Sequence, residues 1–196
     1  MATVAEKTKA VSTEEYLALP PSSDPTVKVD LVGGELVDVS RPTFEHNELL
    51  ANLIALLMPL IQKGKLGRLS FDTIVLLHPS EDPLAPDLVF LSNERMQHLS
   101  GGRIHGVPDL VVEVTSPTTY SDDYGRKFMV YDRHAVPWLW IIDPADARIE
   151  EYRHTPGGFL RAQTILRDGI FTPGLFPGLQ IRVAEIAPMI TAPKSR

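Results

Sequence analysis

The stretch Pro108-Asp109-Leu110-Val111-Val112-Glu113-Val114-Thr115 sets one carboxylate inside a run of branched aliphatic residues. Such runs favour the pleated, packed surface of a sheet, and Leu110–Thr115 reads as a strand. Glu113 is the anomaly. A carboxylate among valines is costly unless it is paired or holds a metal. On a strand it shares a face with Val111 and Thr115. These residues alone leave three readings open: an edge strand with Glu113 facing water, a buried ion pair, or a functional carboxylate.

Upstream, Pro86-Asp87-Leu88-Val89 opens a second strand, Asp87–Leu91, after the turn-forming segment 79–86. Pro-Asp is also ordinary turn chemistry, and it recurs at Pro108-Asp109. Asp109 shares a strand with Glu113 at a separation of about 13 Å, too far to share one ion. Asp87 lies on another strand and converges on Glu113 if the two strands pair. Two such carboxylates suit Mg²⁺ or Mn²⁺, which keeps waters and completes its shell with a substrate phosphate. The carbonyl of Val114 could add a ligand. Such an ion supplies a nucleophilic water and stabilises charge on a phosphate.

Downstream, Ser121 is placed to cap a helix over Asp122–His134, with two acids in its first turn. Asp123 and Tyr131 stand four residues before and after Lys127, so all three share a face. A lysine beside the metal could orient the attacking water or offset developing charge. The plainer alternative is a surface Asp123–Lys127 ion pair of little energetic worth. Trp138–Asp143 reads as a buried strand. Arg148–Arg153, Phe159–Leu166 and Leu179–Val183 form a meander interrupted by Gly157-Gly158 and a Gly/Pro-rich turn.

Towards the N-terminus, Ser12 caps a short helix stopped by Pro20-Pro21, and Val27–Asp30 with Glu35–Val39 form a hairpin about Gly33-Gly34. Thr43 caps a helix reaching Lys63, with Gly64 as its stop and Pro59 kinking or dividing it. In His46-Asn47-Glu48, Glu48 could reach the site from below the sheet, or could lie on a solvated helix face. His46 can equally be a first-turn surface residue. Arg68–Leu77 reads as a strand interrupted by polar residues, and 92–107 as a polar loop or short helix.

These elements predict an α/β fold, a mixed central sheet flanked by helices, with an N-terminal hairpin and a C-terminal strand meander. The 196 residues fit one domain over 13–186, with a flexible arm at 1–12 and a tail at 187–196. There is no cysteine, which excludes disulfides, thiolate nucleophiles and cysteine zinc sites. No apolar run has membrane-spanning length and the first ten residues lack a secretory signal, so a cytoplasmic location without membrane contact is expected. The net charge of −6 argues against a strong non-specific grip on nucleic acid, although a carboxylate-lined metal site itself adds negative charge. No HExxH, GxGxxG, Walker or GxSxG pattern occurs.

Residues 30–143 resemble the Uma-two family of bacterial endonucleases. The resemblance rests on Gly34-Glu35-Leu36, on His46 opening the long helix, and on Pro86-Asp87-Leu88-Val89. It continues with Pro108-Asp109-Leu110-Val111-Val112-Glu113-Val114, Ser116-Pro117, and Asp123 with Lys127 and Tyr131. Val136-Pro137, Trp140-Ile141-Ile142-Asp143-Pro144 and Pro177-Gly178-Leu179 complete it. It implies a restriction-endonuclease-like core of the PD-(D/E)XK superfamily. There Asp87 and Glu113 would bind Mg²⁺. Thr115 stands where the superfamily lysine is usual, so Lys127 on the following helix is the matching candidate, and Glu48 the matching acid of the first helix. Ala135, Trp138-Leu139 and Tyr120 depart from the family pattern, Tyr120 occupying a place where a basic residue is more usual.

The resemblance therefore implies a Mg²⁺-dependent endonuclease acting on DNA, working as a homodimer because two strands must be cut. A catalytically silent module binding nucleic acid or a protein partner is the alternative. A metal-dependent hydrolase of another phosphoester is a third reading.

Overall fold

The computed structural model describes residues 10–20, 22–24, 26–116 and 119–188. Residues 1–9 of the expected arm, Pro21, Pro117 and residues 189–196 of the expected tail lie outside the described residues. Ser12 opens helix α1 (Thr13–Leu17) through a reciprocal capping box with Glu15. Strands β1 (Val27–Val32) and β2 (Glu35–Ser40) form the hairpin, with Gly33 and Gly34 at positive φ in its turn. The Val11 N–H donates to the Gly34 carbonyl, so the end of the expected arm is tied to this hairpin.

Thr43 caps α2 (Phe44–Gly64), which continues through Pro59 undivided. Pro59 and Ala55, whose carbonyl loses its helical partner, both lie on the exposed side, where water can satisfy that carbonyl. The left-handed residue that ends the helix is Lys65 at φ 50°, one beyond the expected glycine. Gly64 serves instead to admit Leu66, whose Cγ would lie 2.9 Å from any added Cβ.

The central sheet has six strands: β3 (Gly67–Phe71), β5 (Leu88–Ser92), β8 (Leu110–Val114), β9 (Trp138–Asp143), β10 (Arg148–Thr155) and β11 (Gly158–Ile165). Their order is β11-β10-β9-β8-β5-β3, with β8 and β9 parallel and the other pairs antiparallel. The strand expected over 68–77 is two pieces, because Asp72 at φ 47° turns the chain. The second piece, β4 (Val75–Leu76), joins β7 (Arg103–His105) and β6 (Leu99–Ser100) in a small separate sheet. A 3₁₀-helix at Asn93–His98 precedes β6 and β7. After β11 come β12 (Ile170–Phe171), β13 (Ile181–Arg182) and a last turn of helix, Val183–Ile186.

The parallel β8–β9 connection carries an interrupted helix: α3 (Tyr120–Asp122), a wide π turn (Asp123–Lys127) and α4 (Phe128–Arg133). Ser121 lies inside α3 and does not cap it. Gly125, at the centre of the π turn, has the weakest α-helical preference after proline. Turns of this kind occur often at functional sites.

Both faces of the sheet are covered, and residues alternate between them. Leu88, Phe90, Leu110, Val112 and Val114 pack against Leu49, Leu53, Leu57 and Ile61 of α2. Val89, Leu91, Val111, Leu139 and Ile141 pack with Val130 and Tyr131 of α4. Ala187 still belongs to the α2-side core, so packing extends into the first residue of the expected tail. No helix among the described residues is long and apolar enough to cross a membrane.

Candidate active site

Glu113 lies on a central strand, bracketed by β5 and β9, and is 1% exposed. The edge-strand reading is therefore excluded by the topology. Alternation along β8 puts Glu113 on the α4 side with Val111. Leu88 pairs with Val112 and Val89 with Val111 in the antiparallel β5–β8 ladder. Extending that register by one residue places Asp87 opposite Glu113. Asp87 Oδ2 accepts the Val114 N–H at 2.7 Å, and the Asp87 charge is near enough to raise the Glu113 carboxyl.

The helix supplies the rest. Lys127 Nζ donates to Glu113 Oε2 at 3.0 Å and lies 2.9 Å from Asp123 Oδ1. The Tyr131 hydroxyl donates to Glu113 Oε1 at 2.6 Å. The expected face of Asp123, Lys127 and Tyr131 is therefore turned onto Glu113. The surface ion-pair alternative does not hold, because Asp123 is 2% exposed.

His46, in the first turn of α2, places Nε2 3.1 Å from Asp87 Oδ1 and is buried. Glu48 lies about 200° further round that helix. Among the described residues no hydrogen bond or ion pair joins it to the cluster. The inward position in this turn belongs to His46. The reason is helical phase: His46 lines up with Leu50, Leu53 and Leu57 on the packed side, and Glu48 does not. Asp109 takes a structural part, accepting the Ser92 N–H at 2.6 Å and pairing with Arg95.

Glu113 and Asp123 pair directly with the Lys127 ammonium, and Asp87 acts on it through its charge. Burial pushes the Glu113 carboxyl up to about 8; Lys127 opposes that rise, while Asp87 and Asp123 add to it. Burial likewise raises Asp123 against the pull of Lys127. Burial disfavours the Lys127 charge, yet Glu113 and Asp123 outweigh it and hold the ammonium protonated. Burial and Glu113 keep the Tyr131 phenol protonated, hence a donor. The cluster carries more acid than its single ammonium can compensate.

That excess fits a hard divalent cation. Among the described residues no group of three or more His, Asp or Glu side chains has ligating geometry. An ion here would rest on the carboxylates of Asp87 and Glu113, supplemented by water and phosphate oxygens, which is the habit of Mg²⁺.

Two further buried acids escaped the sequence reading. Glu151 is 1% exposed and accepts from Trp140 Nε1, Gln163 Nε2 and the Gly174 N–H, so it anchors the C-terminal loop. Glu150, on the opposite face, accepts from the hydroxyls of Tyr124 and Tyr152. Adjacent acids in one strand must point to opposite faces. Since both faces are covered, both are buried.

A six-stranded mixed sheet with paired carboxylates at the β5–β8 junction and a lysine reaching them from the next helix defines a nuclease-fold protein. A similar solved structure is a putative nuclease belonging to DUF820 from Anabaena variabilis ATCC 29413. The similarity has a TM-score of 0.69 at 16% identity, covering 90% of this chain and 97% of that one. The chain belongs to the Uma2 family, described as "putative restriction endonuclease", whose family model matches residues 13–184. No curated protein matches the chain.

Proposed function

We propose that the chain is a divalent-metal-dependent endonuclease hydrolysing phosphodiester bonds in DNA, with Asp87, Glu113 and Lys127 at its centre. One observation carries this reading: Lys127 Nζ lies 3.0 Å from the buried Glu113 Oε2, and the Asp87 carboxylate, one residue before β5, is close enough for its charge to act on Glu113. Asp87 and Glu113, with the Val114 carbonyl, would hold Mg²⁺ or Mn²⁺, which supplies charge neutralisation and a more acidic water.

The chain's own residues divide the remaining work. Tyr131 fixes the orientation of the Glu113 carboxylate through its short hydrogen bond. Asp123 keeps Lys127 charged and aimed at Glu113. The Lys127 ammonium then stands where negative charge develops on a phosphate and where an attacking water must be oriented. His46 and the Val114 N–H hold both oxygens of Asp87. A homodimer would present two such centres to DNA.

The test is cleavage of supercoiled plasmid with Mg²⁺ and with chelator. Glu113→Gln should abolish metal-dependent cleavage with the fold intact. Lys127→Ala should lower the rate about 10²–10³-fold while metal still binds. Undiminished cleavage by Glu113→Gln would sink the proposal.

A further inference from the structure

Helix α3 and the π turn that follows it carry an aromatic pair with no part in the chemistry above, Tyr120 on the first and Tyr124 on the second. The rings of Tyr120 and Tyr124 lie 4.7 Å apart between centroids, tilted by 38°. Tyr120 is 46% exposed. Tyr124 is anchored from below: its hydroxyl donates to Glu150 Oε2 at 2.9 Å, and the Tyr152 hydroxyl donates to the same oxygen at 2.8 Å. Glu150 is itself 5% exposed, so the pair stands on a buried hydrogen-bonded base and presents its outer ring to solvent.

The position of this pair is defined by the sheet. Glu113 pairs with Ile141 across β8–β9, and Ile141 with Glu150 across β9–β10. Glu113 and Glu150 therefore lie on one face, about 10 Å apart at ordinary strand spacing. The same Glu150 gathers cations: Arg161 Nη1 lies 3.3 Å from its Oε1, and Arg148 Nε 3.9 Å. The Arg161 side chain is 58% exposed beyond its contact with Glu150. An exposed ring, a rigid support and an open arginine thus follow one another along the face that carries Glu113.

We propose that Tyr120, packed against Tyr124 and followed by Arg161, is a stacking subsite for an unpaired nucleotide beside the Asp87–Glu113–Lys127 centre. The preferred substrate is then a single-stranded or locally unpaired strand, in place of a continuous duplex. This rests on the nuclease reading and adds the substrate class. The physics is that of single-strand binding, where bases stack on aromatic faces and nearby cations follow the backbone. The overall charge of −6 fits it, since duplex binding draws on broad phosphate neutralisation whereas stacking does not.

The experiment is fluorescence anisotropy with a labelled oligothymidine and a duplex of equal length, in chelator so that neither is cut. Wild type, Tyr120→Ala, Tyr120→Phe and Arg161→Ala are compared. Wild type should prefer the single strand. Tyr120→Ala should weaken single-strand binding about tenfold, leave duplex binding unchanged, and be rescued by Tyr120→Phe. Arg161→Ala should weaken single-strand binding and flatten its salt dependence. Equal or tighter binding of the duplex by wild type, or an unchanged single-strand affinity in Tyr120→Ala, overturns the subsite. Cleavage is assayed in parallel with Asp87→Asn. Cutting that vanishes in Asp87→Asn while Tyr120→Ala binds normally overturns the subsite alone. Cutting that survives in Asp87→Asn overturns the nuclease centre, and the subsite as a feature beside it.

Discussion

Lys127 Nζ stands 3.0 Å from Glu113 Oε2, although the two residues are 14 apart in sequence and belong to a helix and a strand. The ammonium is nearly buried, and it is the cation shared by Glu113 and Asp123. Removing one partner of a buried pair leaves the other uncompensated, which costs about 3–5 kcal/mol. Lys127→Met should therefore lose about that much stability near neutral pH. The pH dependence has a definite sign. The folded Glu113 carboxyl titrates near 8, above its ordinary 4.5, so metal-free stability from its protonated form is present below 4.5 and lost as pH rises towards 8. Without Lys127 the carboxyl rises further, so the deficit of Lys127→Met should be larger at pH 8 than at pH 5. Urea denaturation at the two pH values measures it. An equal deficit at both would show that Lys127 acts through packing alone.

Asp87→Asn relieves repulsion within the acid cluster but gives up the pairing of Oδ1 with His46, so the metal-free protein should stay within about 1 kcal/mol of wild type. Asparagine retains an acceptor for the Val114 N–H. The same variant should lose the rise in melting temperature that Mg²⁺ gives wild type. Thermal denaturation with and without the ion checks both effects. A destabilised variant that still responds to Mg²⁺ would place the ion elsewhere.

Tyr131→Phe removes a hydroxyl 2.6 Å from Glu113 Oε1 and leaves the ring in place. Leaving that buried carboxyl oxygen without its donor costs about 1–3 kcal/mol. The variant should lose a similar amount, fold normally and cut more slowly. Chemical denaturation and a plasmid assay on the same preparation separate these effects.

Glu151 provides the contrast. It accepts from Trp140, Gln163 and Gly174; Gln163 also donates to the Thr172 carbonyl, so the donors stranded by its loss are those of Trp140 and Gly174. Glu151→Leu should cost several kcal/mol, at about 1–3 kcal/mol per stranded donor. Mg²⁺ affinity of the remaining folded protein should be unchanged. Altered metal affinity would tie the C-terminal loop to the centre.

The helix face of Asp123, Lys127 and Tyr131 was legible because spacings of four residues survive in the wide π turn. The Asp87–Glu113 proximity was legible only conditionally, since a strand sequence does not name its neighbour. Three things were not legible. The π turn substitutes for α-helix over Asp123–Lys127 without a proline or a cap to announce it. His46, and not Glu48, faces Asp87 because helical phase decides which of two nearby polar residues points inward. The roles of Glu150 and Glu151 depend on partners such as Tyr124, 26 residues away, and Gly174, 23 away. Elsewhere, left-handed Lys65 ended a helix one residue past Gly64, and left-handed Asp72 split a strand where no glycine marked the turn.

The most direct test is a calorimetric Mg²⁺ titration of wild type and Asp87→Asn, paired with cleavage of supercoiled plasmid and single-stranded DNA. The proposed centre predicts that wild type binds the ion and cuts, and that Asp87→Asn does neither. Binding and cutting that persist in Asp87→Asn, or a wild type that neither binds nor cuts, would contradict it.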